Sequence, residues 1–78
     1  MRIRLRFFAS LRETIGETAE RDVGRDTTVA ALWQAIVRER PALARMPVRF
    51  AIDETYVDGS RVLTDDDEVA VFPPVSGG

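Results

Sequence analysis

EVAVFPPVSGG, residues 68–78, is a short strand that runs into two prolines and then closes on two glycines. Successive strand side chains alternate, so Val69 and Val71 point one way and Ala70 and Phe72 the other. Pro73 and Pro74 cannot donate to a sheet and favour extended backbone, so they end the strand and direct the chain outward. At ~3.3 Å per residue, residues 73–78 reach roughly 20 Å beyond it. Gly77 and Gly78 have no Cβ, present the thinnest possible chain and accept any backbone angle. The reactive group at the end is the Gly78 α-carboxylate.

Working outward, MRIRLRFF (residues 1–8) is the second strongly apolar strand. Ile3, Leu5 and Phe7 form one face and Arg2, Arg4 and Arg6 the other, which predicts a strand buried on one side. Phe8 falls on the arginine side, as Phe72 falls on the polar side of its own strand. If the two strands are neighbours, Phe8 and Phe72 make one exposed apolar patch at the root of the tail, with Arg6 at its rim. Residues 9–16 read as a helical turn closed by Gly16, and residues 17–23 as a return strand. Thr27 or Thr28 caps a helix running to about Arg40, where Pro41 stops it. Val29, Leu32, Trp33, Ile36 and Val37 form its apolar stripe, which places Trp33 in the core. A proline-bounded connector with one helical turn leads to a strand at residues 48–52, then a short strand at Tyr56 and Val57.

The order strand, strand, helix, strand, short strand, strand calls for one helix packed on one face of a mixed sheet. The two most apolar strands, first and last, belong side by side in its centre, and strands separated by a whole domain pair in parallel. The expected fold is therefore an α+β β-grasp, or ubiquitin-like, architecture with five strands. Residues 1–72 form the domain and residues 73–78 a flexible C-terminal tail.

A chain of 78 residues buries only roughly 60% of its unfolded surface, so an enclosed pocket is not expected. The net charge of −2 gives no footprint for nucleic acid. No segment approaches the ~20 apolar residues of a membrane span, and the N-terminus lacks a signal-peptide pattern, so the expected location is the cytoplasm. Residues 40–78 carry four arginines against seven acids, which favours a basic partner surface. There is no Cys and no His, which removes thiolate chemistry and the commonest base and metal ligand at neutral pH. There is no Lys among eleven basic residues; codon usage accounts for that most simply. The acidic run Asp65–Glu68 lacks the spacing and glycine of a calcium loop and reads as a solvated turn, and no metal site is expected. No set of side chains forms a catalyst, which leaves the tail.

At this point the chain resembles the MoaD family, the small sulfur-carrier subunit of molybdopterin synthase. FFASLRETIG, TVAALW and LTDDDEVAVFPPVSGG carry the resemblance over nearly the whole chain, and FPPVSGG is its most specific part. The ThiS carriers of thiamine synthesis share the fold and the terminal Gly-Gly. Two positions depart from the family pattern: Asp66 stands where Gly is common, and Asp53 where Asn is common. An aspartate tolerates positive φ better than most residues if the turn requires it.

The resemblance implies that Gly78 is adenylated and then thiocarboxylated. It implies that Ser76, Gly77 and Gly78 insert into the large synthase subunit, where sulfur passes to a cyclic pyranopterin phosphate. Phe8, Phe72, Pro73, Pro74 and Val75 are the expected docking residues. The implied partners are the large subunit, in a heterotetramer, an adenylyltransferase resembling ubiquitin-activating enzymes, and a sulfur donor. No cofactor is expected on this chain; ATP is used by the activating partner, and the catalytic groups lie on the large subunit. A carrier for another thio-metabolite, a ubiquitin-like modifier that forms isopeptide bonds, and a plain interaction domain are the alternatives.

Overall fold

A computed structural model describes residues 1–74. β1 (Arg2–Phe7) and β2 (Thr18–Asp22) form an antiparallel pair, joined through the short helix α1 (Ser10–Ile15). α2 (Val29–Glu39) follows, then a 3-10 turn at Pro41–Arg45. β3 (Arg49–Ile52), β4 (Thr55–Val57) and β5 (Glu68–Phe72) complete a sheet of order β2-β1-β5-β3-β4. β5 lies parallel to β1 and antiparallel to β3. This is the β-grasp expected from the sequence, with the first and last strands paired at its centre.

The core lies between the sheet and α2. Ile3, Leu5 and Phe7 of β1 alternate with exposed arginines, and Val69 and Val71 of β5 are buried beside them. Val29, Leu32 and Ile36 supply the buried stripe of α2. Trp33 packs against the core from its margin, edge-on to Phe50 with ring centroids 6.0 Å apart. The expectation for Trp33 holds in this partial sense: it packs on the core while remaining half-buried.

The start of α2 shows why the chain between β4 and β5 runs where it does. The first backbone N–H groups of a helix have no partner within it. Here Val29 N donates to the Arg61 carbonyl (2.9 Å), Ala30 N to the Gly59 carbonyl (3.0 Å) and Ala31 N to Thr28 Oγ1 (3.1 Å). Leu63 N returns a bond to the Thr27 carbonyl (2.9 Å) and seats the Leu63 side chain in the core. The approach is so close that a Cβ on Gly59 would lie 2.9 Å from Ala30 Cβ. At the other end, Arg40 leaves helical backbone (φ −137°, ψ 81°), as the residue before Pro41 must, and the helix stops.

Four turns use positive-φ backbone at residues other than glycine, the first in chain order after Ala9 being Asp26 (φ 65°) ahead of α2. Asp53 (φ 52°) and Glu54 (φ 64°) close the two-residue β3–β4 hairpin, in which Ile52 pairs with Thr55. Asp66 (φ 68°) turns the chain into β5, which answers the question its identity raised. Ala9 (φ 52°, ψ −129°) links β1 to α1 in a conformation that strains an L-residue with a Cβ.

Candidate functional site

The face of the sheet opposite α2 is uncovered. Its residues follow from the register: Arg6, Ala70, Ala51 and Tyr56 lie in one row across β1, β5, β3 and β4. Phe72 and Arg49 are partners in the next row towards the tail. Phe8 joins Phe72 there because its backbone N–H continues the ladder, donating to the Val71 carbonyl at 3.2 Å.

The two phenylalanines stack, with centroids 4.6 Å apart and planes 15° apart. Tyr56 meets Phe72 edge-on at 6.0 Å, and the residue is 65% exposed. The Arg6 guanidinium carbon lies 5.6 Å from the Phe8 ring centroid and that of Arg49 5.9 Å from Tyr56. An unbroken row of Arg6, Phe8, Phe72, Tyr56 and Arg49 thus crosses the open face. Guanidinium groups over aromatic faces hold both ends of such a row at little cost in side-chain freedom.

Pro73 and Pro74 leave β5 beside this row, and together with Phe8, Ala9, Tyr56 and Phe72 they line an open depression. The structure therefore brings Phe8, Phe72, Pro73 and Pro74 to one place. Val75, Ser76, Gly77 and Gly78 lie outside the described residues. Tyr56 and Arg49 were not singled out by the sequence. The available signal was register: a two-residue turn at Asp53–Glu54 sets Tyr56 opposite Ala51, on the face that carries Phe72.

The acidic run before β5 is engaged in shaping its turn. Arg2 N donates to Asp65 Oδ1 (3.2 Å) and Thr64 N to Asp67 Oδ2 (2.8 Å). Among the described residues no group of three potential ligands is placed to hold a metal ion. No buried side chain there is polar or charged. What the described surface offers is an apolar platform at the foot of the final residues, suited to binding a partner.

Residues 5–78 match the ThiS family. The sequence is 42% identical over 80 residues to the molybdopterin synthase sulfur carrier subunit of Escherichia coli, covering 97% of this chain and 99% of that one. The crystal structure of SAMP1 from Haloferax volcanii superposes with a TM-score of 0.84 at 30% identity, over the full length of both chains. A chain in the complex of subunits 1 and 2 of molybdopterin-converting factor from Helicobacter pylori does so with a TM-score of 0.70 at 26% identity, again over both full lengths.

Proposed function

Because the chain belongs to the ThiS family, we propose that it is a sulfur carrier of molybdenum cofactor biosynthesis, the small subunit of a molybdopterin synthase. The Gly78 carboxylate is a poor electrophile until a partner enzyme adenylates it with ATP. A sulfur donor then displaces AMP, and the product is a thiocarboxylate on a thin arm. Ser76, Gly77 and Gly78 enter the large subunit, where the sulfur is delivered to cyclic pyranopterin phosphate. Phe8, Phe72, Pro73, Pro74 and Val75 hold the two subunits together, and residues 73–78 serve as the carrier tail.

The observation that carries this reading is the stacked Phe8–Phe72 pair beside Pro73 and Pro74. It puts exposed aromatic surface where the chain leaves the central strand, and aromatic anchors of this kind dominate binding energy at interfaces. The identity with the Escherichia coli carrier subunit and the fold shared with a subunit of the Helicobacter pylori complex support the same pathway.

The test is intact mass after incubation with ATP, an activating enzyme and a sulfur donor. The expected product gains the mass difference between sulfur and oxygen and, mixed with a large subunit, converts the pyranopterin precursor. A variant lacking Gly78 that retains full activity would overturn the reading.

The likeness to SAMP1, a small archaeal modifier protein, favours a second reading in which Gly78 is joined to target lysines. Conjugates that survive a denaturing gel, formed with ATP and activating enzyme, would establish it.

A further inference from the structure

Next to the aromatic row, the open face of the sheet sinks to two alanines. Ala51 and Ala70 are cross-strand partners on β3 and β5, and Ala51 is only 8% exposed although it faces away from α2. Phe72 and Glu68, the outward residues on either side of Ala70 along β5, form opposite walls of this trough. The β3–β4 turn brings Asp53 and Glu54 to the Glu68 end, because Ile52 pairs with Val69. Arg6 borders the trough from β1, and its guanidinium stands 3.9 Å from Glu68, beyond hydrogen-bond length. Among the described residues neither the Asp53 nor the Glu54 carboxylate has an ion-pair partner. Of the three carboxylates only Glu68 has, among the described residues, a cation at ion-pair distance, the loosely placed Arg6, with Arg4 as its cross-strand neighbour.

The trough is apolar along its floor, aromatic at one end and anionic at the other. An aliphatic side chain would fill the floor and strip water from carboxylates without replacing it, which is costly. An acidic one would be repelled. A long side chain with an apolar stem and a cationic head satisfies both ends. Glu68 stands two residues from Ala70, about 7 Å along the strand, within the span of such a side chain lying flat. A guanidinium adds paired, planar donors for carboxylates, which an ammonium lacks.

We propose that this trough receives an arginine side chain of the large-subunit partner, its stem over Ala51 and Ala70 and its guanidinium on Asp53, Glu54 and Glu68. The trough shares Phe72 with the aromatic row, so a subunit docked on that row already covers it. The proposal rests on the reading of the large subunit as partner.

The test uses the full chain and a purified large subunit, with affinity measured by calorimetry at low and high salt. The triple variant Asp53→Asn, Glu54→Gln, Glu68→Gln keeps side-chain size and the turn, and is expected to bind about tenfold more weakly at low salt with a flattened salt dependence. Ala70→Leu fills the floor and is expected to weaken binding at either salt, with melting temperature recorded as the control for folding. If Phe72→Ala weakens binding while the triple variant matches wild type in affinity and salt slope, the trough proposal is overturned and the carrier reading stands. If the triple variant loses affinity for the activating enzyme alone, the assignment to the large subunit is likewise overturned. Failure of the wild-type chain to bind any large subunit would sink the underlying reading itself.

Discussion

Phe8 and Phe72 come from opposite ends of the sequence and stack with ring centroids 4.6 Å apart. Both rings remain part-exposed on the face that α2 leaves uncovered. The pair has apolar surface to offer a partner and makes only a modest contribution to folding, since a stacked pair contributes about 0.5–1.5 kcal/mol beyond its burial. Phe72→Ala is therefore expected to lower stability by about 1–2 kcal/mol, partial burial included. It should weaken large-subunit binding by about 2 kcal/mol, roughly thirtyfold. Denaturant melts and calorimetry on the same preparation check both halves; a stable variant with unchanged affinity would remove the patch from the interface.

Ala9 makes a different claim. Its φ of 52° and ψ of −129° suit glycine, and the residue is the hinge between β1 and α1. Ala9→Gly is expected to stabilise the chain by about 1 kcal/mol, relief of strain exceeding the entropy that glycine adds to the unfolded state. A chemical denaturation midpoint that falls would contradict the strain.

Gly59 is constrained by contact and not by dihedral angle. A methyl group there would overlap Ala30 Cβ and push away the carbonyl that caps α2. Gly59→Ala is expected to cost about 1–3 kcal/mol. Adding Ala30→Gly should recover part of the loss, and a double-mutant cycle with no coupling would refute the contact.

Asp58 gives a pH signature. Ser60 donates to its Oδ1 from both hydroxyl and backbone N–H, the latter at 2.8 Å, and these bonds hold its carboxyl below the ordinary value of 3.8. A depressed folded pKa means stabilisation that is present above the unfolded value and lost as pH falls through the folded one. In Ser60→Ala the Asp58 carboxyl should titrate at higher pH than in wild type, followed by NMR on its carboxyl carbon. Coincident titration curves would argue against the hydroxyl's role.

Period-2 and period-3.6 patterning made most of the fold legible. β1 and β5 were readable because every second residue is apolar, and α2 because its stripe is bounded by Thr28 and Pro41. Leu11, Leu43 and Leu63 were not readable as core, although all three are buried. Each is the lone buried residue of a short helix, a 3-10 turn or a loop, and only the close docking of those segments draws it inward. The site divides in the same way. Phe8 and Phe72 broke an alternation and so announced themselves. Tyr56 and Arg49 broke none, and their place beside Phe72 depends on a turn geometry, left-handed at both Asp53 and Glu54, that these residue types do not advertise.

The parallel pairing of β1 with β5 has a practical corollary. Because the two central strands run the same way, Met1 sits at the margin of the sheet remote from Pro74, its amino group donating to the Val23 carbonyl at 2.7 Å. A backbone amide can make that same bond, so an affinity tag or fluorescent protein appended before Met1 would leave the aromatic row clear. Assay formats for this chain can be built from that side without masking the surface they are meant to measure.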